Sequence, residues 1–177
     1  LDIIFYCGEN HAPTLLYFHG GYWQRGSKSL YSFLARSYTF TGVNVVIVGY
    51  DLCPSVSITR IMEEAREAVV FLWKEGKEFG LNPDHMVVMG HSAGGHITQM
   101  MMGTKWSDFD KVAPDNILKA GIPISPLSYL EPVRLTEALN AGIQMDEFEA
   151  KSQSPMTLHP PVTNAPQLIA VGGSETT

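Results

Sequence analysis

Gly90-His91-Ser92-Ala93-Gly94 sets a serine between two glycines. The apolar run Met86–Met89 precedes it and a helical stretch, Ala93–Met102, follows. This is the pattern of a nucleophile held on a sharp strand-to-helix turn. The turn forces strained backbone angles on Ser92 and leaves no room for bulk beside it, which Gly90 and Gly94 satisfy. Ser92 Oγ then lies at a helix N-terminus, where the helix dipole favours developing negative charge. Earlier in the chain, His19-Gly20-Gly21 follows the β-rich run Thr14–Phe18. Acyl transfer needs donors aimed at the tetrahedral oxygen. The expected donors are the N–H groups of Gly20 or Gly21 and of Ala93, with Tyr22 N–H as an option. Tyr22 and Trp23 follow at once and could wall an aromatic substrate pocket; core packing is the competing reading for both. His91, at the elbow's variable position, joins them as a substrate-side candidate.

A serine nucleophile of this type takes an acid and then a histidine, later in the chain. Glu175, in Gly172-Gly173-Ser174-Glu175, occupies the acid's place after a strand-like run, Gln167–Val171. No histidine follows it, and the six present are His11, His19, His85, His91, His96 and His159. His19 reads as a structural hydrogen-bonder of the glycine loop. His96, one helical turn beyond Ser92, reads as packed or superficial, and His159 is a weak stand-in base. The expectation is a chain cut before its histidine-bearing loop, losing several orders of magnitude in rate. It would also leave an uncovered sheet edge and apolar face. No histidine pair has convincing metal-ligand spacing with partner carboxylates or cysteines, so no metal site is expected.

The elements that must position these groups alternate. Ile3–Tyr6, Thr14–Phe18, Asn44–Val48, Met86–Met89, Ala120–Ile124 and Gln167–Val171 read as strands. Ser29–Phe40, Ser57–Glu78 and Ala93–Met102 read as helices. In the second of these, Ile58, Ile61, Met62, Ala65, Val69 and Leu72 recur at helical spacing. Strands alternating with helices imply an α/β fold whose central sheet is mostly parallel, with helices on both faces. Together with the elbow this is the α/β-hydrolase fold, as a single domain over 1–177, incomplete at its C-terminus. Residues 127–161 break the alternation with short helical pieces (Thr136–Leu139, Met145–Ala150) and prolines, and read as a cap-like insertion.

Composition narrows the partners. The net charge is −6, and Arg25, Lys28, Arg36, Lys74 and Lys77 are scattered. That disfavours nucleic acid, which demands clustered cations. Two cysteines, Cys7 and Cys53, exclude a disulfide framework and fit a reducing, cytoplasmic compartment. No run approaches the ~18 apolar residues of a membrane span. A small molecule is the expected partner, and a homodimer is possible.

His19-Gly20-Gly21-Tyr22-Trp23-Gln24 resembles the signature of the kynurenine formamidases (arylformamidases), relatives of the hormone-sensitive-lipase-like esterases. Tyr50-Asp51-Leu52-Cys53-Pro54, the Gly90–Gly95 elbow, Leu130-Glu131-Pro132-Val133-Arg134 and Ser154-Pro155 resemble that family in the same order. The resemblance spans essentially the whole chain. It implies hydrolysis of an aryl formamide, N-formyl-L-kynurenine, to the amine and formate in tryptophan breakdown, without metal or cofactor. A carboxylesterase of small acyl or aryl esters, and a non-catalytic hydrolase-like binding protein, are the competing readings.

Overall fold

The computed structural model describes residues 2–7, 12–158 and 163–175. His11 and His159 lie outside the described residues, as do Pro160 and Pro161 of the expected insertion. Five strands form one sheet: β1 (Asp2–Tyr6), β2 (Thr14–Phe18), β3 (Asn44–Gly49), β4 (Met86–His91) and β5 (Leu118–Ile124). Their spatial order is β1-β3-β2-β4-β5. Only β1 runs antiparallel, against β3; the other pairs are parallel. Parallel strands are covered on both faces, which is why β2 and β3 read as continuous apolar runs.

Pleating sends alternate side chains to opposite faces. Leu16, Phe18, Val46, Val48 and Val88 join the larger core with α2 (Ile58–Glu75) and α3 (Ala93–Met102). Leu15, Tyr17, Val45, Ile47 and Met89 face the other way, with Ala35 of α1 (Ser32–Thr39). In α2 the six apolar positions at helical spacing are all buried. Its N-terminus is capped by Ser57, whose hydroxyl accepts from Arg60 N–H.

Three expectations differ from the structure. The helix expected over Ser29–Phe40 begins as a 3₁₀ turn at Lys28–Tyr31 before α1. The run Gln167–Val171 makes isolated bridges to β5 at Gln167 and Ala170 rather than a full strand, leaving Leu168, Ile169 and Val171 exposed. Of the helical pieces expected in the insertion, Thr136–Leu139 and Met145–Ala150 each start one or two residues later, and a further helix precedes them. After a short α4 (Trp106–Phe109), residues 127–158 form α5 (Glu131–Leu135), α6 (Glu137–Ile143), α7 (Glu147–Ser152) and a 3₁₀ turn, Pro155–Thr157. Asp146 caps α7 by accepting from Glu149 N–H, which fixes that later start.

Two contacts tie residues 127–158 to the sheet's C-terminal edge. Glu149 accepts 2.7 Å hydrogen bonds from both the N–H and the hydroxyl of Thr59, in the first turn of α2. Gln24 Nε2 donates to Leu139 O at 3.2 Å. The core beneath sets a simple expectation. Ile61→Ala, at a fully buried position, lowers unfolding free energy by about 2–5 kcal/mol, while Glu75→Ala on the exposed face stays within about 0.5 kcal/mol. Urea denaturation measures both.

Candidate active site

Register brings the two candidate loops together. Phe18, the last residue of β2, pairs with Gly90 of β4, so the chain leaves both strands side by side at the sheet's C-terminal edge. Ligands of open α/β sheets bind at this edge. Ser92 sits at φ 56°, ψ −119°, a conformation L-residues rarely adopt. Its N–H donates to Ile124 O at 2.9 Å, and its carbonyl accepts from His96 N–H at 2.9 Å. The strained turn is thus clamped by β5 on one side and the first turn of α3 on the other.

Crossing backbones explain the glycines. A Cβ at Gly94 would lie 2.0 Å from Phe18 O, and one at Gly90 would lie 2.2 Å from Gly94 O. A Cβ at Gly20 would lie 2.7 Å from His91 O and 3.4 Å from Ser92 Cβ, so the glycine loop rests directly on the Ser92 turn. Ala93 N–H, in the first turn of α3, has no intrahelical acceptor and stands beside Ser92. The arrangement therefore brings together Ser92, Gly20 and Ala93, with exposed His91 alongside.

His19 orients the glycine loop. Nδ1–H donates to Gly20 O at 2.9 Å, so in the trans peptide the N–H of Gly21 points the opposite way. Tyr50 stacks on the imidazole at 4.3 Å, and its hydroxyl donates to His19 O at 2.6 Å. Burial lowers the His19 pKa and keeps the ring neutral. This is the structural role expected of it.

Tyr22 and Trp23 both adopt φ 56°. Two successive left-handed residues split their side chains: Tyr22 turns out, 40% exposed, and Trp23 turns in, wholly buried. Trp23 accordingly packs in the core, edge-on to His96 at 5.1 Å, and offers no face to a solvent-accessible pocket. Its place as a pocket wall is corrected by that burial. His96 is also wholly buried, and its Nε2–H donates to Gln153 O at 2.7 Å, joining α3 to residues 127–158. Sequence spacing put His96 one turn below Ser92 but held no sign of this distant carbonyl.

Glu175 lies at the same edge. Its carboxylate accepts from Ser125 Oγ, just beyond β5, and from Gly172 N–H at 2.8 Å. The Ser125 hydrogen bond, then the Gly172 one, lower its pKa, and the field of His91 adds in the same sense. Of the four described histidines, none hydrogen-bonds Ser92 Oγ or Glu175. His85 lies at the start of β4, at the sheet's opposite end. Among the described residues no three His, Cys, Asp or Glu side chains converge to hold a metal ion. No described helix is long and apolar enough to cross a membrane.

A family model described as the alpha/beta hydrolase fold matches residues 15–159. The chain belongs to this family. The kynurenine formamidase of Salmo salar is 33% identical over 148 residues, 84% of this chain and 48% of that protein. The chain thus spans about half the length of this curated relative. An esterase of Gibberella moniliformis is 31% identical over 91 residues, 51% of this chain and 29% of that protein. A solved structure from Silicibacter sp. tm1040, put forward as a thioesterase, superposes with TM-score 0.81 at 30% identity. It covers 97% of this chain and 62% of the other. The formamidase resemblance carried by the His19–Gln24 segment therefore recurs across most of the chain's length.

Two outcomes follow from the site's geometry. Gly94→Ala drives a methyl group into Phe18 O; we expect a loss of roughly 3 kcal/mol or more in unfolding free energy, or failure to fold, whereas Gly173→Ala, with nothing within 4 Å, is tolerated. Circular dichroism melts compare them. The second concerns His96, whose pKa burial lowers to about 4. Unfolded, it titrates near ~6.5, so the unfolded chain binds the extra proton between these values. Stability is then full above pH ~6.5 and falls by on the order of 3 kcal/mol as pH drops to ~4. His19 contributes in the same sense. Urea midpoints across this window should fall with acidity, and fall less steeply in His96→Gln; a flat wild-type profile would contradict a neutral buried His96.

Proposed function

We propose that this chain carries the nucleophile of a serine hydrolase acting on an aryl formamide of the N-formylkynurenine type. The observation that carries the reading is the contact of the glycine loop with the strained Ser92 turn, within a chain 33% identical to a kynurenine formamidase over most of its length. Ser92 Oγ attacks the formyl carbonyl. The developing oxyanion is held by Ala93 N–H and by an N–H of Gly20 or Gly21; Ala93 follows Ser92 in the chain and Gly20 packs against the Ser92 turn, which supports this reading. Preorganised donors of this kind need no reorientation as charge develops, and each can be worth ~3 kcal/mol. Departure of the aryl amine leaves a formyl-serine, which water hydrolyses to formate. Glu175 is the proposed acid. Its depressed pKa keeps it ionised at neutral pH, as an acid orienting an imidazolium must be.

Cleavage of a small aryl or acyl ester is the second reading, favoured by the 31% identity to the Gibberella moniliformis esterase over the segment it matches. Both use the same nucleophile, so the leaving group decides. A fluorophosphonate probe should label the wild-type chain and leave Ser92→Ala unlabelled. In parallel assays we expect kcat/KM for N-formylkynurenine to exceed that for p-nitrophenyl acetate; a large preference for the ester would overturn the formamidase reading. Failure of the probe to label Ser92 would favour a non-catalytic binding protein.

A further inference from the structure

Beyond the glycine loop lies a cavity of about 390 Å³ lined by Tyr22, Gln24, Arg25, Ala138 and Leu139. Three observations distinguish it. Tyr22 reaches it only because residues 22 and 23 both hold a left-handed backbone, a strain that clusters at ligand-contacting positions. The Arg25 guanidinium lies 5.4 Å over the Tyr22 ring, is exposed, and forms no ion pair among the described residues. The opposite wall is built rather than incidental. Gln24 is tied to Leu139 O, and α6 approaches it so closely that a Cβ at Gly142 would lie 2.1 Å from Gln24 Oε1.

We propose that Arg25 recognises a carboxylate on the substrate, with the Tyr22 ring carrying the adjoining carbon skeleton. This rests on the hydrolase reading above and assigns Arg25 as the residue that sets its preference for an anionic substrate over a neutral one. The chemistry fits the cavity. A guanidinium presents a planar fork that matches a carboxylate, and an aromatic face beneath it preorients the fork. On a chain of net charge −6, an unpaired cation at the site's rim also offsets the general repulsion of an anionic substrate. The reach fits as well. Gly20 touches the Ser92 turn, and Tyr22 Cα lies at most about 7.6 Å from Gly20 Cα. A carbonyl held at Ser92 and a carboxylate several bonds further along the same molecule span that interval.

The test is calorimetric titration of the 177-residue chain with two probes that differ only in charge. One is 4-(2-aminophenyl)-4-oxobutanoate; the other is its primary amide. The acid should bind at least roughly tenfold more tightly, and its advantage should shrink as salt rises from about 20 to about 300 mM. Arg25→Ala should erase the advantage and Arg25→Lys should retain part of it. Arg25 is exposed, so neither variant threatens the core; thermal melts check this. Equal affinities, no binding of either probe, or an advantage that survives Arg25→Ala would each overturn the proposal. If instead the carboxylate preference holds while the fluorophosphonate probe fails to label Ser92, the hydrolase reading fails and the anion subsite stands.

Discussion

The site depends on three backbones crossing at near-contact distance. Gly94 lies over Phe18 O, Gly90 lies under Gly94 O, and Gly20 lies against the His91 carbonyl. None of these approaches tolerates a Cβ. They hold because β2 and β4 are hydrogen-bonded neighbours in register, so their C-terminal ends emerge together. At this junction Ser92 passes from β4 into α3 at positive φ. The strained turn is held by the Ile124 and His96 hydrogen bonds on either side.

The same junction orders its surroundings. Trp23, sent inward by the loop's left-handed pair, meets His96 one turn below Ser92, and His96 reaches Gln153 beyond α7. One buried contact therefore connects the glycine loop, α3 and residues 127–158. Trp23 Nε1, His96 Nδ1 and Gln153 Oε1 are buried there without hydrogen-bond partners among the described residues, an arrangement of one donor and two acceptors that leaves the junction sensitive to protonation. The outward half of the split, Tyr22, stands with Arg25 at the rim. One stretch of loop thus contributes a contact with the Ser92 turn, a core anchor and a polar wall, because successive residues point in different directions from the same strained backbone.

The features legible in the residues were those local in the chain. The periodicity of α2, the apolar runs of β2 and β4, and the glycine pattern about Ser92 each follow from neighbours a few residues apart. So does the expectation that His19 serves the loop structurally. Its segment His19–Gln24 resembles the formamidases, to one of which the chain is 33% identical over 148 residues. Other features emerge only once the chain is folded. Trp23 and Tyr22 are adjacent aromatics with the same φ, and only the packed helix beneath them separates core from rim. His96 is ambiguous until a carbonyl 57 residues away is placed against it. Arg25 reads as one scattered cation until α6 closes a cavity beside it. Burial and pairing between distant segments are properties of the folded chain, because they depend on which surfaces the sheet brings into contact.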